Sequence, residues 1–265
     1  MSAMMLAAVL LPEASNAELF RQGETAFRAG LVAREKGDPN DRGEADFREA
    51  ALMWETIRSR GVDTAPLYRN LGHAYFLAGD LPRAILCYRL GLRREPGDAE
   101  LRRGLRQARD RVVFAEGAVL GRPPEADAAG WLHELSIGWL FTLGVVLHAA
   151  GWAFLTRWFM VRRSRLLVAG LLSLGVGLYL GWIVFQRQSG DAAPPVVVIA
   201  RDGVLLRKGN AVAFPAWSEV PLNRGVEAEK LLSRDGWVQI RLHGGEVGWV
   251  GLAEVVVGDE PEASR

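Results

Sequence analysis

The chain has 265 residues, with 32 Lys and Arg against 31 Asp and Glu and a formal net charge of +1. Such a balance gives no electrostatic footing for nucleic-acid binding, and the single cysteine excludes an internal disulfide. The hydrophobic fraction of 49% is ordinary, so the long apolar stretches below are a local excess and not a property of the whole chain.

Residues 1–17 contain a short apolar run, Met4 to Leu11, followed by Ser15-Asn16-Ala17, which has the small-x-small form of a cleavage site. This is an expected signal peptide, truncated in that no basic residue precedes the run. From residue 18 to 117 the periodicity is helical. Leu19, Phe20, Gly23, Phe27 and Leu31 form one stripe, closed by Gly37-Asp38-Pro39-Asn40. Phe47, Ala50, Ala51, Trp54 and Ile57 form the stripe of a second helix over about 44–60. Tyr68-x2-Leu71-Gly72-x2-Tyr75, then Ala84-x3-Tyr88 and Pro96, follow the tetratricopeptide pattern. Small Gly72 and Ala84 belong where two helices cross, the tyrosines and Leu71 fill the space between them, Gly79-Asp80 turns, and Pro96 stops the second helix. The preceding helix pair reads as a degenerate repeat with its connection enlarged over 31–43. The arginine-rich residues 98–115 read as a capping helix, since a repeat stack needs a polar terminal element.

A Pro- and Gly-containing linker over 118–134 leads to two uncharged stretches, Leu135–Leu155 and Leu166–Phe185. Each has the roughly 20 apolar residues that a helix needs to cross the hydrocarbon core. The glycines at 138, 144, 151, 170, 175, 177 and 181 would weaken soluble helices but let membrane helices approach closely. Arg157, Arg162, Arg163 and Arg165 gather in or beside the 156–165 turn, so the turn belongs inside and both flanks outside the cytoplasm. Trp139, Trp152, Trp158, Tyr179 and Trp182 lie in or near the spans, and those near their ends suit the membrane–water interface.

After a second linker (186–195), residues 196–257 change period. Short strands are expected at 196–199, 204–206, 226–232, 237–242 and 246–250, with hairpin turns at Arg234-Asp235-Gly236 and His243-Gly244-Gly245. The string G-W-V-Q-I-R-L-H-G-G-E-V-G-W-V resembles the end of bacterial SH3-like barrels. Residues 258–265 are a polar tail. The expected fold class is a multidomain membrane protein: an all-α tetratricopeptide array, a two-helix transmembrane hairpin and a small all-β SH3-like barrel.

This order, carried by L-Y-R-N-L-G-H-A-Y-F-L-A-G-D-L-P-R-A-I-L-C-Y-R-L-G-L-R-R-E-P-G-D and the barrel string, resembles the E-type proteins of the bacterial aerotolerance (Bat) operon. The resemblance implies a membrane-anchored scaffold at the envelope with a link to oxygen or stress tolerance. It also implies partners among envelope proteins such as von Willebrand-type membrane proteins and other products of that operon, which include a MoxR-type ATPase.

Catalysis finds little footing. His73, His133, His148 and His243 fall in different segments with no metal-ligand spacing, and Cys87 stands alone beside Tyr88 as a packing residue. No cofactor, metal site or enzyme activity is expected. The glycines at 175 and 177 follow no strand and belong to membrane packing, not to a phosphate loop. His148, inside a span without an acidic partner, is expected neutral and facing the other helix. Binding finds more footing. Arg69, His73 and Phe76, with Asn70 beside them, are expected on the concave face of a repeat, with Arg69 available for a carboxylate and Phe76 for an apolar side chain. A solvated helix face is the plainer alternative. Trp237 and Trp249 suit either an aromatic peptide groove or packing in the core or rim of the barrel. Two function classes follow: an adaptor binding envelope proteins on both soluble modules, or a cell-wall module whose barrel binds peptidoglycan peptides.

Overall fold

The computed structural model describes residues 14–37, 42–114, 120–122, 137–188 and 196–258. The expected signal peptide and the two linkers lie mostly outside these residues, as does the tail after Gly258. Of the expected cleavage site, Ser15 caps a helix by accepting the Glu18 amide at 3.2 Å, and Asn16 and Ala17 open that helix. Among the described residues the chain is mostly helical, with seven α-helices and a five-stranded antiparallel sheet.

The first five helices are α1 (Asn16–Glu35), α2 (Arg42–Ser59), α3 (Ala65–Leu77), α4 (Leu81–Arg94) and α5 (Ala99–Arg109). The starts of α4 and α5 are set by capping carboxylates. Asp80 accepts the Arg83 amide ahead of α4, and Asp98 accepts the amides of Glu100 and Leu101 ahead of α5. The helices touch where side chains are missing. A methyl group added at Gly72 would lie 2.5 Å from the Tyr88 ring, and one at Gly104 would lie 2.6 Å from the same ring. Tyr88 is thus held between α3 and α5 and is 1% exposed. Trp54 covers Gly23 in the same way, and Ala50 precedes Trp54 by four residues as Ala84 precedes Tyr88. The stripe expected in α2 is wholly buried. The α1 stripe ends sooner than expected, because Leu31 is exposed.

Helices α6 (Ile137–Val161) and α7 (Ser164–Gln188) form an antiparallel hairpin. Both are longer than the expected spans. The expected ten-residue turn shrinks to Arg162 and Arg163, because helix continues through Val161 and resumes at Ser164. Arg162 makes that reversal with a left-handed backbone, φ 54°, its guanidinium over the Trp158 and Phe159 rings. Four of the seven glycines lie at the crossing. A methyl at Gly177 would sit 3.0 Å from the Gly144 carbonyl oxygen, one at Gly170 would sit 3.2 Å from that of Gly151, and one at Gly151 would meet Leu174. Ser173 donates to the Leu147 carbonyl across the hairpin at 2.7 Å. Both helices are long and apolar enough to cross a membrane, and the chain buries only 17% and 28% of their most apolar stretches.

The sheet comprises β1 (Val196–Ile199), β2 (Glu227–Arg234), β3 (Trp237–Leu242), β4 (Val247–Gly251) and β5 (Val255–Val257), in the order β4-β3-β2-β1-β5. A 3-10 turn, Leu252–Glu254, precedes β5. The β2–β3 hairpin turns on Asp235 and Gly236, both with positive φ, as a tight two-residue hairpin requires. One strand expectation fails, and one strand was not foreseen. Residues 204–206 make only an isolated bridge from Val204 to Leu222, within a long irregular connection, and β5, unforeseen, pairs with β1. Three valines following a helical turn give too short a run to stand out in the sequence.

The helical and β segments share one core. All four residues of β1 are buried, because one side faces the sheet interior and the other meets α4. Methyl groups added at Gly225 would contact Val112, Leu81 and Ile85, and one at Gly258 would contact Leu86 and Leu90. Segments separated by the whole hairpin therefore fold against each other.

Candidate binding surfaces

The side chains expected to form one face of α3 divide among three surroundings. Arg69 turns to the start of α5, where its guanidinium lies 2.8 Å from Glu100 and 3.4 Å from Asp98. The carboxylate expected from a ligand is supplied within the chain. Asn70 and His73 line a small cleft of about 120 Å³ between α1 and α3, with Glu24, Phe27, Arg28 and Trp54. The His73 ring stands edge-on to Tyr88 at 5.7 Å, and burial holds its imidazole below the ordinary value of 6.5. Phe76, at the far end of α3, carries the Arg111 guanidinium 4.4 Å above its ring.

Phe76 and Arg111 mark the meeting of two larger grooves. One, of about 620 Å³, runs along the seam between helices and sheet, past Leu81, Val113, Asp202, Asn223 and Arg224. The other, of about 460 Å³, lies along the edge formed by the end of α1 and the start of α2, past Arg34, Glu44 and Phe47. Gly79, Phe76 and Arg111 border both. Asn223 closes the seam beneath by donating to the Val113 carbonyl at 3.0 Å.

Trp237 and Trp249 are not core residues. Trp237 pairs with Gly251, and Gln239 with Trp249, so both indoles share the outer face of the β3–β4 ladder as diagonal neighbours. The inner face is Val238, Ile240, Leu242 and Val250, all buried. Both tryptophans are half-buried. The connection from β1 to β2 runs alongside, as Arg207 exchanges two backbone hydrogen bonds with Trp249, at 2.9 and 2.7 Å, and it carries exposed Phe214 and Trp217.

The most strongly built polar site is at the junction and has no counterpart among the expected residues. Glu227, at the start of β2, is 5% exposed. It accepts two hydrogen bonds from Arg109 of α5, at 2.5 and 3.0 Å. Arg89 of α4 lies 3.0 Å away, charge against charge, but its Nε–H is not aimed for a hydrogen bond. Burial raises the Glu227 carboxyl pKa, and the two guanidinium groups together outweigh it, leaving the group below its ordinary value. His243, also near, is held below its ordinary value by burial. The signal for this site was an acid within the apolar run Val226 to Ala228, and an arginine between the buried Tyr88 and Leu90.

Cys87 is buried beside a groove of about 600 Å³ between α2, α4 and the end of β5, and burial pushes its thiol pKa upward, away from reactivity. The arginines around this groove, Arg48, Arg58 and Arg83, pair with Glu44, Glu55 and Asp80. Among the described residues no three His, Cys, Asp or Glu side chains are placed to hold a metal ion. His133 lies outside the described residues. His148 departs from expectation. Its side chain points to the hairpin surface, where Nε2 accepts the Trp152 indole N–H at 3.1 Å. Gly177 of α7 lies against its backbone, and the exposed ring is not packed between the helices. Comparison with models of protein families, with characterised proteins and with solved structures finds no match to this chain.

Proposed function

We propose that the chain is a membrane-anchored scaffold of the E-type of the bacterial aerotolerance operon, holding envelope proteins on its extracytoplasmic side. The observation that carries this reading is the pairing of an apolar hairpin, left largely uncovered by the chain, with a helical array and a sheet joined into one body at its open end. Such a body presents grooves in a fixed mutual arrangement, as an adaptor requires. The tetratricopeptide identity of the array is supported by the packing of Tyr88 on Gly72 and its echo at Trp54 and Gly23. The SH3-like identity of the sheet is supported by five antiparallel strands with a 3-10 turn before the last, which returns to pair with the first. The orientation rests on the arginines at the hairpin turn.

The partner site on this reading is the groove pair around Phe76 and Arg111, suited to an extended segment with an apolar and an acidic side chain. The test is co-isolation of envelope proteins, von Willebrand-type membrane proteins among them, with the full chain and with the Phe76→Ala, Arg111→Glu variant. Loss of a desolvated aromatic anchor costs about 2 kcal/mol or more, so the complexes should disappear while helical content holds. An unchanged partner set would move binding off this groove. The second reading, peptidoglycan peptides on the barrel, is favoured by the outward Trp237 and Trp249, and a variant with both replaced by alanine would then lose cell-wall binding.

A further inference from the structure

The sheet ends at β5, and among the described residues no strand lies along its second edge. Gly258 donates to the Val196 carbonyl at 3.2 Å, and Ala200 donates to the Glu254 carbonyl at 2.8 Å. In this antiparallel register Glu254, Val256 and Gly258 turn their backbone polar groups to β1, while Val255 and Val257 turn theirs away. Val255 spends its N–H on the Leu252 carbonyl. The Val255 carbonyl, and both the N–H and the carbonyl of Val257, have no hydrogen-bond partner among the described residues. An unpaired edge of this kind is a template for a further strand. It borders the groove of about 600 Å³ beside Cys87, with Val256, Val257 and Gly258 on one side and α2 and α4 on the others. Helix α4 packs against β5 and forms the floor, so α2 is the far wall.

The helical walls have both apolar and cationic parts. Leu52 of α2 lines the groove although it is 64% exposed, and Leu86 of α4 lines it too. Arg48 and Arg58 lie on either side of Leu52 along α2, separated by about 15 Å of helix. Arg83 of α4 is the third cation. Arg58 binds Glu55 through Nε at 2.6 Å, Arg83 binds Asp80 through one terminal nitrogen at 2.8 Å, and Arg48 binds Glu44 through one at 2.5 Å. Each guanidinium has five N–H donors, so donors remain on all three. The carboxylates that line the groove are committed. Glu55 also accepts the Tyr75 hydroxyl at 3.1 Å, and Asp80 caps α4. The groove therefore lacks acceptors for its donors. Five extended residues also span about 15 Å, and the first, third and fifth point their side chains to one face.

We propose that β5 accepts, as a sixth strand, an extended segment of a partner protein of the form acidic-x-apolar-x-acidic. Its main chain bonds to Val255 and Val257. On its helix-facing side the apolar residue covers Leu52 and Leu86, one carboxylate reaches Arg48 or Arg83, and the other reaches Arg58. A second copy of the chain does not suit the site, because its sheet would bring its own helices against α2. This surface shares no residue with the grooves around Phe76, and the inference does not rest on the membrane reading.

The test is fluorescence anisotropy of a dye-labelled peptide, Ser-Glu-Thr-Val-Thr-Glu-Ser, titrated with the full chain in detergent micelles. The peptide should bind with Kd below about 1 mM. The same peptide with lysine for both glutamates, or N-methylated along its backbone, should bind about 10-fold more weakly or worse. Leu52→Glu, on exposed α2 surface, should weaken binding of the parent peptide about as much. Val257→Pro should do the same, since it removes the outward N–H and no bond to β1; the N-methylated peptide asks that question without altering the chain. Absence of binding overturns the proposal, as does binding indifferent to N-methylation or to Leu52→Glu. Binding lost in the Phe76→Ala, Arg111→Glu variant but kept in Leu52→Glu puts the peptide in the other grooves and also overturns it. Binding that appears only after residues 259–265 are deleted gives the groove to the chain's own segment, and binding that appears only on dilution of the chain gives it to a second copy. Either result overturns the assignment to a partner.

Discussion

Gly72→Ala adds one methyl group to α3, and the structure determines what it costs. The new carbon would sit 2.5 and 2.6 Å from two atoms of the Tyr88 ring, where carbon atoms prefer about 3.5–4.0 Å. An overlap of about 1 Å must be relieved by moving Tyr88 or separating the helices. Tyr88 has nowhere to go, because Gly104 meets the same ring with nearly the same closeness and the side chain is 1% exposed. Overpacking of this kind costs about 1–3 kcal/mol, offset by up to about 1 kcal/mol from the better helix propensity of alanine. The net loss of about 1–2 kcal/mol should lower the melting temperature of the full chain in micelles by about 2–8 °C, followed by circular dichroism. Tyr88→Leu is itself destabilising through the cavity it leaves, but it removes the obstacle. Gly72→Ala should then be neutral or favourable in the Tyr88→Leu background, a coupling of at least about 1 kcal/mol. Additive effects, or a Gly72→Ala chain as stable as wild type, would refute the packing argument.

Gly177→Leu should separate the hairpin, because its first side-chain carbon already lies 3.0 Å from the Gly144 carbonyl oxygen and 3.2 Å from the His148 amide nitrogen. Protease protection of the α6–α7 region in vesicles should fall, while Gly175→Leu, facing open space, should leave it intact. A cysteine replacing Gly203 should react with an impermeant reagent in intact cells and one replacing Ser164 only after lysis. The opposite result inverts the orientation. Glu227→Gln should destabilise the soluble body by about 3–5 kcal/mol, as breaking a buried ion pair does. Because the folded carboxyl titrates below its ordinary value of 4.5, the charge stabilises fully above that pH and progressively less as pH falls through the lower folded value. The gap between wild type and Glu227→Gln, measured by denaturant melts, should therefore narrow below about pH 4.5; a gap constant with pH would place its origin elsewhere.

The elements most legible in the sequence are those whose signal is local. Gly72, Ala84 and Tyr88 give the crossing of α3 and α4 because each position is a packing constraint of the helix pair itself. The uncharged runs give α6 and α7 for the same reason, and Asp235-Gly236 gives its hairpin. What depends on distant partners was not legible. Arg69 reads as a free cation until Asp98 and Glu100 arrive on α5. His148 reads as inward-facing until the crossing places glycine, not a side chain, opposite its backbone. The α3 residues expected to act together share a stripe along one helix, yet three neighbouring elements claim them separately. The run of four apolar residues in β1 does carry a hint of what was missed. A strand on an open sheet face would alternate, and an unbroken run asks for cover on both sides.

That cover is α4, and it has consequences for how the chain reaches its native state. Arg109 and Glu227 are brought together across the whole α6–α7 hairpin. Before the chain beyond α7 is placed, Arg89 and the apolar surface of Leu86 and Leu90 have no sheet to meet, so the helical array alone must leave part of its core exposed. Joining them pays late, after a long loop has closed. The buried ion pair suits that step better than more apolar surface would. Apolar faces on α4 and β1 would tolerate many slid arrangements, whereas two hydrogen bonds from Arg109 to one carboxylate are met in one register. On this argument the hydrophobic contacts of β1 with α4 supply most of the attraction at the junction, and Glu227 selects the arrangement in which the grooves around Phe76 take shape.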